Sequence, residues 1–199
     1  MNKIVVASGN QGKIREIRSK LEEFSVELVS QKELNISEVP EDGLSFIENA
    51  LIKARNASRQ TNLPAMADDS GIVVPALGGQ PGIFSARYAG EGATDQTNLQ
   101  KLLNELRNVS QEDRGAYFYC AIVYVQFADD PTPLVAVGKW QGRIAEAESG
   151  SEGFGYDPIF YLTEKRCTAA EIPLAEKNRI SHRGQALEEF VSLYREALM

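Results

Sequence analysis

Ile4-Val5-Val6-Ala7-Ser8-Gly9-Asn10-Gln11-Gly12-Lys13 is the stretch that decides the fold. Its first four residues are an unbroken apolar run, the pattern of a strand covered on both faces. Ser8-Gly9-Asn10 ends that run with turn chemistry. From Gly12 onward Ile14, Ile17, Leu21 and Phe24 recur at helical spacing, with Arg15, Glu16, Lys20 and Glu23 on the opposite side. Buried strand, polar loop and helix, in that order, open an α/β unit and put glycines at a helix N-terminus. Backbone N–H groups and partial positive charge meet there, and glycine lets the main chain come close to an anion such as phosphate. Lys13 adds a full charge. A P-loop is matched only in part, since Ala7 stands where its first glycine would be and Ile14 where Ser or Thr would hold magnesium. A nucleotide kinase or GTPase is thereby disfavoured, and a plain strand-to-helix turn is the ordinary alternative.

The rest of the chain extends the same class. Ser45-Phe46-Ile47-Glu48 reads as a capping box, followed by an apolar stripe of Phe46, Ala50, Leu51, Ala54 and Ala57, so a second helix is expected to about Gln60. Pro64 to Val74 reads as a strand with a polar break at Asp68-Asp69-Ser70-Gly71. Leu77 to Gly92 is glycine-rich and reads as a long ordered loop. Thr94 to Arg107 predicts a third helix, with Leu99, Leu102, Leu103 and Leu106 inward. Ala116 to Phe127 and Leu134 to Ile144, separated by Asp129-Asp130-Pro131-Thr132-Pro133, predict an antiparallel pair, and Gln185 to Leu198 a closing amphipathic helix. The sum is a mixed α/β sheet with flanking helices.

Composition narrows the function. The 199 residues suit one domain, and 43% hydrophobic against 25% charged residues permit a packed core. A net charge of -7 disfavours a general nucleic-acid binder, so a phosphate partner must be met by a local cluster. No apolar run approaches the ~20 residues that cross a bilayer, and Met1 to Ala7 fits no signal peptide, so a cytoplasmic protein is expected. Cys120 and Cys167, with a single histidine, give no zinc spacing and read as ordinary thiols.

Four further segments carry possible chemistry. Asp68 and Asp69 are adjacent carboxylates suited to a hard cation and to activating water, but strand neighbours face opposite ways, so only one should be catalytic. Glu38, Glu41, Asp42 and Glu48 form an acidic stretch that could supply another metal ligand, or simply a solvated loop. Gly153-Phe154-Gly155-Tyr156-Asp157-Pro158 alternates rings and glycines, which suits stacking on a base. Glu176 to Gly184, with Lys177, His182 and Arg183, reads as a donor-rich loop within a local +3 segment in an acidic protein.

Together these segments resemble the inosine triphosphate pyrophosphatase family of Ham1-like enzymes. Ser8 to Glu16 is similar to its T-x-N-x-x-K-x-x-E signature, with Ser8 where Thr is usual. Phe46 to Ala50, Ala67 to Gly71, Pro81 to Gly90, Phe154 to Pro158 and Ser181 to Ala186 match further blocks in the same order. The resemblance implies one two-lobed domain over residues 1–199 enclosing a nucleotide-binding cleft, a homodimer, and magnesium-dependent cleavage of ITP, dITP or XTP to the monophosphate and pyrophosphate. It implies that Ser8, Gly9, Asn10, Gln11, Gly12 and Lys13 hold the triphosphate. Asp69 would be proton acceptor and metal ligand with Ser70 beside it, and Glu41, or else Glu38, the second metal carboxylate. Phe154, Gly155, Tyr156, Asp157, Lys177, His182 and Arg183 would grip base and sugar. A pyrophosphatase for modified pyrimidine nucleotides and a nucleotide-binding regulatory module without turnover are the competing readings.

Overall fold

A computed structural model describes residues 3–199, apart from the side chain of Gln11. Its strands are β1 (Lys3–Val6), β2 (Glu27–Ser30), β3 (Ala65–Val73), β4 (Gly115–Val125), β5 (Leu134–Ile144), β6 (Phe160–Leu162) and β7 (Cys167–Thr168). The α-helices are α1 (Gln11–Leu21), α2 (Phe46–Thr61), α3 (Asp95–Glu105), α4 (Leu174–Ile180) and α5 (His182–Ala197). The strands form one sheet in the order β2-β1-β3-β4-β5-β6-β7. β1 runs parallel to β2 and β3, whereas β6 is antiparallel to β5 and β7, so the sheet is mixed, as the sequence pattern requires.

The chain divides into two compact units. The first comprises residues 1–69, 120–138 and 185–199. Its core has two parts: Ile4, Val6, Ile14, Ile17, Leu21 and Phe190 belong to one, and Val5, Ala50, Ala54, Ala57 and Val123 to the other. The alternation of Ile4 and Val6 against Val5 is the strand period of two, and burial on both sides is why the run is wholly apolar. The second unit comprises residues 70–119 and 139–184, around Ile72, Leu99, Leu102, Phe118, Trp140, Ile159 and Phe160. β3, β4 and β5 each pass from one unit to the other along their length.

Local signals explain the helix starts. Asn10 Oδ1 accepts hydrogen bonds from the Gly12 and Lys13 amides and caps α1, Ser45 Oγ accepts from Glu48 N and caps α2, and Thr94 and Thr97 form a reciprocal box at α3. Three expectations change. β3 continues through Asp68-Asp69-Ser70 without a break. The glycine-rich stretch after Leu77 holds a six-residue 3-10 helix, Gly82–Arg87: positive φ at Gly78 and Gly79 makes the turn before it, and Gly82, also at positive φ, opens it. The basic segment from Glu176 is not a loop: it is the second half of α4 and the start of α5, joined at Ser181, whose Oγ accepts from Gly184 N. Among the described residues no helix is long and apolar enough to cross a membrane.

Candidate active site

The predicted residues fall into two groups, one in each unit. In the first unit β1 stops at Val6, where it pairs with Met66, while β3 runs on to place Asp68 and Asp69 beyond that end. The carboxyl ends of parallel strands are where open α/β sheets bind ligands, because the loops separate there. A cavity of about 290 Å³ lies at this edge, lined by Ser8, Gly9, Asn10, Lys13, Glu38, Glu41, Lys53 and Asp68 among others. Two of the amides expected to meet phosphate, those of Gly12 and Lys13, are held by Asn10, and Ser8 Oγ accepts from Asn10 N at 3.2 Å. The side chain of Gln11 lies outside the described residues.

The charges here come in compensated sets. Lys13 Nζ donates to Asp68 Oδ2 at 2.8 Å. Lys53 Nζ lies 3.3 Å from Glu41 Oε1 and 3.5 Å from Asp69 Oδ1. The adjacent aspartates thus take different lysines, as strand alternation demands. Asp69 Oδ2 and Asn49 Nδ2 are both buried and pair with no third group, and the Asn49 amide favours the ionised Asp69 carboxylate. Burial raises the Asp69 pKa; Lys53 opposes this, Glu41 reinforces it, the Asn49 amide lowers it and Asp68 raises it, with a net rise. Each aspartate keeps one buried oxygen outside these contacts, and it is Asp69 whose carboxyl is pushed up, while Asp68 lines the cavity and pairs with Lys13.

Glu48 turns one carboxylate oxygen back onto the start of its own helix. Its Oε2 accepts from Leu44 N and Ser45 Oγ, at 2.9 and 2.8 Å, and so helps fix the start of α2. Asn49 Oδ1 accepts from Gly43 N at 2.9 Å, which anchors the acidic loop that carries Glu41. Among the described residues no three His, Cys, Asp or Glu side chains form a group that could hold a metal ion. The donor set is nonetheless the right chemistry for a hard divalent cation, with carboxylate oxygens at Glu41 and Asp69.

The second group is built differently. Arg183 Nη2 donates to Ser70 Oγ at 3.2 Å, and the His182 ring stacks on Phe118, with centroids 4.7 Å apart and planes at 10°. Tyr156 is buried and its hydroxyl donates to the Ser85 carbonyl at 2.8 Å, while Ser85 Oγ accepts from Ile72 N. Phe154, two residues earlier, is 57% exposed. Lys177 is buried, pairs with Asp157 Oδ2, and holds its ammonium 4.7 Å from the centre of the Phe154 ring. An open ring beside a buried cation, with His182 and Arg183 in the same unit, can stack on a planar base and offer hydrogen-bond donors to its carbonyls.

Sequence reasoning missed Lys53, Asn49, Phe118 and Asp95. Lys53 and Asn49 sit on α2, where an apolar stripe identifies only the face that packs. Asp95 accepts from Gly155 N at 2.8 Å, a contact across 60 positions that no local pattern encodes.

The fold is that of an α/β protein with a lysine- and carboxylate-lined cavity at the ends of parallel strands. The model of the Ham1 family matches residues 4–193, and the chain belongs to that family. It is 55% identical over 197 residues to the dITP/XTP pyrophosphatase of Yersinia pseudotuberculosis and 53% identical over 197 residues to that of Photorhabdus laumondii. Each match covers 99% of this chain and all of the relative. The solved HAM1 protein from Coxiella burnetii superimposes with a TM-score of 0.95 at 46% identity, over 98% of this chain and 100% of that one.

Proposed function

We propose that the protein hydrolyses non-standard purine nucleoside triphosphates, dITP, XTP and ITP, to the monophosphate and pyrophosphate, and so keeps them out of DNA and RNA. Asp69 carries the reading: a half-buried carboxylate with a raised pKa, beside Lys53 and next in sequence to Asp68, which lines a cavity together with Lys13, Lys53 and Glu41. In this reading Ser8 to Lys13 and Lys53 receive the triphosphate, and Ser70 with the Phe154 to Asp157 loop, Lys177, His182 and Arg183 receives base and sugar of the same nucleotide.

Lys13 and Lys53 exchange their carboxylate partners for phosphate oxygens, which lowers the charge that a nucleophile must approach. Asp69 Oδ2 accepts the proton of the attacking water, a contribution of about 10²- to 10⁴-fold. Glu41 and Asp69, with Glu38 at the same cavity, would hold Mg²⁺. When bound, the ion neutralises phosphate charge and favours ionisation of water. Donors from Lys177, His182 and Arg183 suit a 6-oxo group, whereas the amino group of adenine would leave them unpaired; sites built on such hydrogen bonds discriminate by about 10⁴ to 10⁵. A homodimer in the cytoplasm is part of the same reading.

Incubation with ITP and Mg²⁺ should release IMP and pyrophosphate in equal amounts. IDP and orthophosphate as products, or equal turnover of ATP, would contradict it. Faster turnover of methylated pyrimidine triphosphates would favour the modified-pyrimidine alternative.

A further inference from the structure

The loop that carries Phe154 is tied down from outside its own sequence. Gly150, Gly153 and Gly155 have φ of +82°, +80° and +62°, a backbone region that side chains rarely adopt, so glycine alone lets the loop take this path. The same freedom makes such a loop floppy unless its polar groups are held. One hold is internal: Phe154 N donates to Asp157 Oδ2 at 2.8 Å. Glu152 N donates to the Ala170 carbonyl at 3.0 Å and Thr168 Oγ1 to the Ser149 carbonyl at 2.7 Å, and further holds come from α3. Gly155 N donates to Asp95 Oδ2 at 2.8 Å, and Glu148 Oε1, where the chain enters the loop, accepts from Gln96 Nε2 and Gln100 Nε2 at 3.0 and 2.7 Å. Gln96 and Gln100 are four apart and share a helix face.

α3 is itself a firm support. Its start is fixed by the Thr94 and Thr97 box, and Leu99 and Leu102 are buried in the second unit's core. Asp95 also stands in the first turn, where any carboxylate is favoured by the helix dipole. That general role needs no partner. The bond to Gly155 does something specific: with the Asp157 bond, it fixes two successive peptide groups, on either side of the Phe154 Cα. An exposed ring has little packing to orient it, so its backbone must.

We propose that Asp95 is a positioning residue for purine recognition, which holds the Phe154 ring in register for stacking by accepting the Gly155 amide. The inference rests on the reading of Phe154 as the base platform. Asp95 would set affinity for the base and leave the phosphate chemistry alone.

The test uses the full-length protein with Asp95→Ala, and with Asp95→Asn, which retains an acceptor. In the nucleotide-free protein, hydrogen exchange at the Gly155 amide should speed up by about tenfold in the alanine variant and stay near wild type in the asparagine variant. With ITP the alanine variant should show KM raised by about three- to tenfold, kcat within about twofold of wild type, and recovery in the asparagine variant. Inhibition by tripolyphosphate, which has no base, should not change. An unchanged KM, an equal weakening of tripolyphosphate, or a loss of kcat that asparagine does not restore would overturn the proposal. Should the wild-type protein leave ITP intact, the proposed function fails on its own. Unaltered Gly155 exchange in the alanine variant would then refute the hold exerted by Asp95, and faster exchange would uphold it.

Discussion

The two groups of site residues use opposite strategies. In the first unit the charges stand on a strand, two helices and the acidic loop, each lysine already matched by carboxylates: Lys13 by Asp68, Lys53 by Glu41 and Asp69. In the second, a glycine loop with positive φ at Gly153 and Gly155 presents one exposed ring over a buried Lys177–Asp157 pair. The first group works through compensated charges, the second through an exposed ring on a loop held by backbone ties. A triphosphate is identical in every nucleotide and needs only charge at fixed points, whereas a base must be told from its analogues by shape and donors. The acidic net charge fits this division, since the lysines of the first group are local and individually compensated by carboxylates.

Asp69→Asn gives the sharpest contrast between the groups. It should reduce ITP hydrolysis by at least about a hundredfold with ITP binding retained, because it removes the base and leaves both lysines. Activity near wild type would take Asp69 out of the chemistry. Lys53→Met comes next, with KM for ITP raised by about tenfold through loss of a charge-assisted contact. Lys53 holds the Asp69 pKa down, so its loss should also move the acid limb of the kcat/KM profile to higher pH. A limb that stays in place would separate Lys53 from Asp69.

Phe154→Ala addresses the other group. Stacking on an aromatic contributes about 1 to 3 kcal/mol, so ITP binding should weaken roughly tenfold, with tripolyphosphate inhibition unaffected. Weakening of both would show that the ring is not confined to the base. The smallest effect on activity is expected at Asp130→Ala, away from both groups. Burial opposes the Asp130 charge, but hydrogen bonds from the Gln126 and Thr132 amides and the Thr132 hydroxyl, with Arg55, leave its pKa lowered. Its contribution to stability is therefore present at neutral pH and is lost as pH falls through the lowered pKa. The variant should keep kcat and KM but lose about 1 to 3 kcal/mol of unfolding free energy at pH 7, with a gap from wild type that narrows in acid. A gap that widens in acid would reverse the assigned sign.

How much of this was legible in sequence depended on the range over which each signal acts. Residues 4 to 13 could be read because apolar run, turn residues and helix period are all local, and their register within β1 and α1 follows directly. The same reading offered the amides of Gly12 and Lys13 to phosphate, although the Asn10 side chain that identifies the helix start is what occupies them. That α4 and the start of α5 are helical was hidden by the run of charges around Lys177 and Arg179, which read as a loop; the cue was Ser181, which ends one helix and caps the next. Lys53 was passed over because a helical stripe speaks for the packed face of α2 and is silent about a lysine at its edge. Asp95 and Gly155 illustrate the limit: their contact depends on where two distant segments come to lie.

The most direct test of the account asks whether the two groups serve one ligand. In the Asp69→Asn protein, equilibrium binding of ITP should be compared with that of tripolyphosphate and of inosine, each measured alone. Joined fragments gain from effective concentration, by factors of about 10² to 10⁴ over either part. The account predicts that ITP binds at least about a hundredfold more tightly than the better fragment. ITP binding no tighter than tripolyphosphate would contradict it.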